Sequence, residues 1–85
     1  MGEVEKKFIA RVKMQPRLVQ VLKHLKYPAT LDELTTKLGW EWYWVLVEIR
    51  DAGRLVERRG ETYVLTPIGR SVLERLEAME RVAEL

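Results

Sequence analysis

Two residue types are missing from this sequence: it has neither cysteine nor asparagine, and its single histidine is His24. Without cysteine the chain forms no disulfide and offers no thiolate to a metal or to nucleophilic catalysis. Glutamine is also scarce, at Gln15 and Gln20, whereas 33% of the residues are charged. This combination is typical of proteins from hyperthermophiles.

Long hydrophobic runs are absent as well. Uninterrupted apolar stretches are only a few residues long, whereas a membrane-spanning helix needs about 20. Met1 is followed by the charged segment GEVEKK and not by the apolar core of a signal peptide. We therefore expect a soluble cytoplasmic protein that does not associate with a membrane.

Enzymatic function is not expected, because the residue patterns of catalysis are missing. His24 lies off the apolar stripe of its predicted helix, and no serine, cysteine or second histidine is near it in the sequence. We find no glycine-rich phosphate loop and no metal-ligand spacing. The sequence therefore predicts no catalytic site, no metal site and no cofactor.

The length of 85 residues predicts a single domain, because there is no room for a second hydrophobic core. We divide it into an N-terminal arm (1–15), a central unit (16–66) and a C-terminal helix (67–85). The net charge of +2 is unevenly distributed: residues 1–27 contain seven Lys/Arg and two Glu, whereas residues 28–53 contain two basic and five acidic residues. Positive charge is thus expected in the N-terminal part of the chain and not on its central helices.

The arm permits two interpretations. Residues 3–14 alternate as a half-buried strand would, but Phe8, Ile9 and Val12 also fit one face of a helix. We favour a helical or irregular arm. The arm also contributes most of a basic group, which is either a DNA-binding surface or a solvated helix face. The basic residues are Lys6, Lys7, Arg11, Lys13 and Arg17.

The next helix is predicted from Pro16, since proline suits the first turn of a helix. Its apolar residues follow the i, i+3, i+4, i+7 spacing of a buried stripe: Leu18, Val21, Leu22 and Leu25. Tyr27 ends the helix because it precedes Pro28, which disfavours helical geometry at Tyr27.

A second short helix and a third follow. Thr30 and Glu33 have the spacing of a capping box, and Gly39 supplies the turn after a helix whose inner face is Leu31, Leu34 and Leu38. The third helix ends at Gly53. Trp42, with Leu46, Ile49 and the flanking Val45, is predicted to face the core, and Trp40 is also expected to be buried.

A β-hairpin is predicted next, from Leu55–Arg58 and Thr62–Leu65 around a turn that contains Gly60. Thr66 and Pro67 then provide an N-cap and a first-turn proline for a final helix. The fold class is therefore mainly α, with one small β-hairpin.

The segments IRDAGRLVERR and YVLTPIGRSVLERL resemble the end of the recognition helix, the wing and the exit helix of small archaeal and bacterial regulators. These are the MarR-, ArsR- and PadR-like proteins. The resemblance covers residues 16 to about 77. It implies a winged helix-turn-helix domain that binds double-stranded DNA as a transcription regulator, with the third helix in the major groove.

The resemblance also implies roles for individual residues. The third helix would read bases, the wing would bind phosphates, and the preceding helix would be positioned on the backbone. The DNA-binding residues would be Thr35, Thr36, Lys37, Tyr43, Trp44, Val47, Arg50, Arg58 and Arg59. From the residues alone, the alternative is that Arg58 and Arg59 form a solvated tip that is paired with its neighbouring glutamates.

The third helix departs from the usual composition of a DNA reader, which presents hydrogen-bonding side chains to base edges. It offers aromatics, valines and two glutamates, Glu41 and Glu48. Trp44 therefore has three alternatives: a protein–protein contact shared with Tyr43 and Val47, packing against DNA, or burial under the arm. A protein-interaction module of a transcription or replication assembly is the second functional hypothesis.

The final helix is longer than a three-helix core can cover. Its apolar stripe predicts a homodimer, as the resemblance also implies, with a frayed tail as the alternative. The predicted dimerisation residues are Val72, Leu76, Met79, Val82 and Ala83.

Overall fold

The computed structural model describes residues 3–83, with side chains over residues 6–82. Within this range the chain is mainly helical, with a small antiparallel sheet, as the sequence predicts. Its elements are α1 (Glu3–Val12), α2 (Pro16–His24), β1 (Ala29–Thr30), α3 (Leu31–Leu38), α4 (Trp42–Ala52), β2 (Val56–Arg59), β3 (Thr62–Leu65) and α5 (Pro67–Ala83). One turn of 3-10 helix, Gly53–Leu55, joins α4 to β2.

The helix α2 lies at the centre and packs against α1, α3, α4 and α5. Its predicted stripe is confirmed, because the four side chains are all at most 1% exposed: Leu18, Val21, Leu22 and Leu25. Such complete burial on one face is what anchors a short helix, since propensity alone does not hold nine residues in a helix.

The arm is helical, and its alternating-strand interpretation is wrong. The helix α1 packs against α5 and α2. Val12 is buried at its end, and Phe8 and Ile9 pack against the core. The apolar face of α1 is therefore part of the same hydrophobic core as the rest of the chain.

The hairpin is confirmed, with shifted bounds. Leu55 belongs to the 3-10 turn, whereas Arg59 ends β2 and pairs with Thr62. Gly60 takes a φ of +62° in the turn, a backbone region that glycine enters without steric cost. The strand β1 adds a third member to the sheet, which has the order β1-β3-β2; two residues are too few to show a strand pattern in the sequence.

The predicted core face of α4 is wrong at Trp42, which is 58% exposed. The predicted burial of Val45 is confirmed, and Ala52 is also fully buried; the two residues lie two turns apart on one side of the helix. Leu46 and Ile49 are only partly buried. Apolar residues occur all around α4, so its spacing marks no single stripe. The helices α2 and α3 pack against the face of α4 that carries the smaller side chains, Val45 and Ala52.

The apolar stripe of α5 is largely covered by its own chain. Val72 and Leu76 are buried in the core, and α1 packs alongside. They are therefore not available for a contact between chains, which corrects their assignment to a dimer interface. Met79 and Val82 are exposed, and the side chain of Ala83 lies outside the described part of the chain.

Candidate nucleic-acid interface

Hydrogen bonds hold both ends of α3, and the sequence predicts the capping box at its start. Thr30 Oγ1 accepts from the Glu33 amide at 3.2 Å, and Glu33 Oε1 accepts from the Thr30 amide at 3.0 Å. This is the expected capping box. Gly39 has a φ of +71°, and its amide donates to the Thr35 carbonyl at 2.8 Å. The chain therefore leaves α3 through a tight left-handed turn and enters α4.

Four apolar side chains are exposed on the N-terminal half of α4. We call Trp42, Tyr43, Trp44 and Val47 the aromatic surface; each is between 44% and 58% exposed. The rings touch one another: the Trp42 and Tyr43 centroids are 5.7 Å apart, edge to face, and those of Tyr43 and Trp44 are 5.5 Å apart. The predicted exposure of Trp44 is confirmed, and its burial under the arm is wrong.

The chemistry of the aromatic surface favours stacking and apolar contact over hydrogen-bonded recognition. An indole offers one N–H donor and no acceptor, and valine offers neither. Such side chains cannot distinguish bases by their donor and acceptor pattern, but they pack against a thymine methyl, a sugar or another apolar surface.

Arg17 also belongs to this site, although its place in the sequence groups it with the basic residues of the N-terminal arm. It lies at the start of α2, and its guanidinium carbon is 5.5 Å from the centroid of a Trp44 ring, which is cation–π distance. A cleft of about 330 Å³ lies between Arg17, Trp40 and Trp44. No local signal in the sequence indicates that the first turn of α2 lies beside α4, since the contact depends on how the two helices cross.

Acidic groups border the same face. Partial burial raises the pKa of Glu48, and the neighbouring Asp51 carboxylate adds to this, while Arg17 opposes both. Arg11 Nη2 donates to the main-chain carbonyl of Asp51. Two arginines from the N-terminal basic group therefore lie against α4 and offset part of the negative charge of the central helices.

The three residues predicted to position α3 differ in availability. The Thr35 hydroxyl donates to the Asp32 carbonyl at 2.8 Å, so its donor is already used inside the helix. Thr36 and Lys37 are exposed, as is Arg50 at the far end of α4. Thr36, Lys37 and Arg50 thus remain open to a ligand.

The arginines of the hairpin tip are exposed and loosely held. Arg58 Nε donates to the Gly60 carbonyl at 2.9 Å, and Arg59 lies 3.7 Å from a Glu57 oxygen with its side chain 70% exposed. Arg58 also lines a cleft with Leu46 of α4 and Asp32 of α3. The tip therefore lies next to the helices that carry the other candidate residues.

Other sites receive little support from the described residues. His24 Nδ1 is 2.8 Å from the Gln20 carbonyl, a contact within its own helix. Over residues 3–83 no three His, Cys, Asp or Glu side chains are grouped as metal ligands would be. None of the helices in this range combines the length and apolarity of a membrane span.

A scan against protein-family models, a search of curated proteins and a search of solved structures each returned no match for this chain.

Proposed function

We propose that the protein is a winged helix-turn-helix domain that binds double-stranded DNA and acts as a transcription regulator. In this proposal α3 and α4 form the helix-turn-helix and α4 enters the major groove. The hairpin β2–β3 is the wing. The order of the elements supports this, since two helices joined at Gly39 precede a hairpin and a proline-started helix.

One observation carries the proposal. The hairpin with its exposed arginines lies beside α4, since Arg58 of the hairpin and Leu46 of α4 line the same cleft. A helix that enters a groove needs charged groups at its flanks to bind the phosphates, and arginine presents a forked donor suited to them. Arg58 and Arg59 fit that role, with Lys37 and Arg17 as further phosphate contacts.

A salt titration tests the proposal. The affinity for a random-sequence duplex is measured at several salt concentrations by fluorescence anisotropy. We expect the logarithm of the affinity to fall linearly with the logarithm of the salt concentration, because cations on the protein release counterions from DNA. The double variant Arg58→Ala/Arg59→Ala should reduce that slope by about 2, one for each lost phosphate contact.

The control is Arg70→Ala/Arg81→Ala, which removes the same charge from exposed positions of α5. This variant should leave the slope close to that of the parent protein. An unchanged slope in the Arg58/Arg59 variant, with its circular dichroism intact, would remove the hairpin from the interface.

A second candidate function rests on the aromatic surface itself. Three touching rings and a valine, all about half exposed, form the kind of patch that protein–protein contacts bury. In this alternative the domain is an interaction module of a transcription or replication assembly. Absence of duplex binding at physiological salt would favour it over the DNA-binding proposal.

A homodimer belongs to the DNA-binding proposal. The exposed Met79 and Val82 near the end of α5 would contact a second copy, and the dimer would bind two half-sites about one helical turn apart. Light scattering that shows a monomer at micromolar concentration would exclude this arrangement.

A further inference from the structure

The outer side of the contact between α1 and α5 contains a groove that the proposed DNA-binding surface does not use, although its floor includes Met79, which the proposed homodimer would also contact. Its volume is about 590 Å³. The floor is apolar and is built from both helices: Ile9, Ala10, Ala78 and Met79. It is the largest cavity described in the protein, and it lies on a different pair of helices from the aromatic surface.

The rim of the groove is cationic. Lys6, Lys13 and Arg75 line it, against a single acid, Glu74. Among the side chains of residues 6–82, none of these three cations has a carboxylate oxygen within ion-pair distance. Three positive charges are therefore gathered around an apolar floor without a described anionic partner.

The opposite side of α5 shows the contrast. There, Lys23 of α2 bonds to Glu80 at 2.9 Å, and Lys26 pairs with Glu77. Lys23 and Lys26 thus pair with carboxylates of α5, whereas Lys6 and Lys13 have no described carboxylate partner. The charge imbalance is local to the groove and does not reflect a general surplus along α5.

We propose that this groove binds a free amphipathic carboxylate, an unbranched alkyl chain with one anionic end. The alkyl chain would lie on the floor formed by Ile9, Ala10, Ala78 and Met79. The carboxylate would lie at the rim, within reach of Lys13 and Arg75. The volume falls within the range of about 300–1,000 Å³ that small-molecule sites occupy.

The ligand matches both features of the site, because its chain removes apolar surface from water and its charge compensates the unpaired cations. This inference does not depend on DNA binding.

The test is calorimetric titration of the full chain with dodecanoate below its micelle concentration. We expect saturable binding of one molecule per chain and a rise in Tm, since a ligand that binds only the folded state stabilises it. Decanoate and octanoate should bind progressively more weakly, by up to about fourfold for each methylene lost from the floor. Hydrogen exchange should show added protection in α1, which forms one wall of the groove.

Two variants locate the site. Lys13→Glu/Arg75→Glu should weaken dodecanoate binding by about tenfold or more, because two attractions become repulsions. Ala10→Trp, which fills the floor without changing the charge, should also abolish binding. The matched control Arg54→Glu/Arg70→Glu reverses two exposed charges outside the groove and should bind dodecanoate like the parent protein.

Three results would overturn the proposal. Equal binding of dodecyltrimethylammonium would show that the cationic rim is irrelevant. Unchanged dodecanoate binding by both groove variants, with folding confirmed by circular dichroism, would place the ligand elsewhere. A dimer by light scattering that dissociates in Lys13→Glu/Arg75→Glu, with no uptake of dodecanoate by the parent protein, would show that a second copy covers the groove.

Discussion

The aromatic surface of α4 and the tip of the hairpin are both exposed, yet they differ in chemistry and in attachment. The aromatic surface consists of rings that touch one another on a helix whose other side, at Val45, is fully buried. The tip consists of exposed arginines and glutamates: Arg58 Nε donates to the Gly60 carbonyl at 2.9 Å, whereas Arg59 has only a long contact with Glu57, at 3.7 Å. One surface is preorganised and apolar, whereas the other is adaptable and charged.

This difference separates two sources of binding free energy. Contacts of the aromatic surface bury apolar area, and they depend little on salt. Contacts of the hairpin arginines are screened by salt and are individually weak when exposed. A duplex would use both at once, whereas an apolar protein partner would use mainly the first. The two surfaces can therefore be tested separately.

The largest effect is expected where the hairpin is joined to α5. A Cβ atom at Gly69 would lie 2.0 Å from the Leu55 carbonyl oxygen. That oxygen already accepts from the Thr66 amide at 3.0 Å, so it cannot move without disturbing the base of the hairpin. We expect Gly69→Ala to lower the free energy of unfolding by about 3 kcal/mol or more, measured by chemical denaturation.

The sign of this prediction opposes helix propensity, which favours alanine over glycine by about 1 kcal/mol. Arg70→Ala, at the next and exposed position of α5, is the control and should change stability by less than about 0.5 kcal/mol. A Gly69→Ala protein as stable as its parent would show that the hairpin base is not held against α5.

The next effect compares the two sides of α4. Val45 is completely buried, whereas Trp42 is mostly exposed. We expect Val45→Ala to cost about 2 kcal/mol, because it removes buried methyl groups and leaves a cavity. Trp42→Ala removes more atoms but should cost less than about 1 kcal/mol. Thermal and urea unfolding of both variants measure these losses. A larger loss of stability for Trp42→Ala than for Val45→Ala would show that Trp42 is part of the core.

The smallest effect is electrostatic and concerns two glutamates with opposite pKa shifts. Burial raises the pKa of Glu48 above its ordinary value of 4.5. The protonated form of Glu48 therefore stabilises the fold fully at pH values below 4.5, and this stabilisation is lost as the pH rises through the pKa of the folded state. Hydrogen bonds with Thr30 lower the pKa of Glu33 below its ordinary value of 4.5. The ionised form of Glu33 therefore stabilises the fold at pH values above 4.5, and this stabilisation is lost as the pH falls through the pKa of the folded state.

The two glutamine variants should therefore respond to pH in opposite directions. Relative to the parent protein, Glu48→Gln should gain stability when the pH is raised from 4 to 7, whereas Glu33→Gln should lose stability over the same interval. Unfolding free energies at the two pH values provide the test. Shifts of the same sign in both variants would contradict the assigned environments of the two carboxyl groups.

Much of the fold is predictable from local pattern. The stripe of α2 needs only regular spacing on a helix with one apolar face, and the capping box needs only Thr30 and Glu33 three residues apart. The hairpin follows from two short segments enriched in β-branched and apolar residues around Gly60. The arm was ambiguous, because Phe8, Ile9 and Val12 satisfy a helical pattern while the wider segment also alternates.

The candidate site was less predictable than the fold. The sequence wrongly predicts that Trp42 is in the core, because α4 is apolar on all sides and periodicity does not distinguish its faces. It places Arg17 among the N-terminal charges and gives no sign of its contact with Trp44. It assigns Val72 and Leu76 to a contact between chains, because the packing of α1 onto α5 has no signature in either segment.

The amino-acid sequence by itself determined which segments become helices and strands, where they are capped and where they turn, because these depend on residues within a few positions of one another. Only the tertiary structure decided which face of α4 is buried, which arginine lies on Trp44, and where a cationic groove forms. Those outcomes depend on contacts between residues far apart in the chain, and on competition among several apolar faces for one small core.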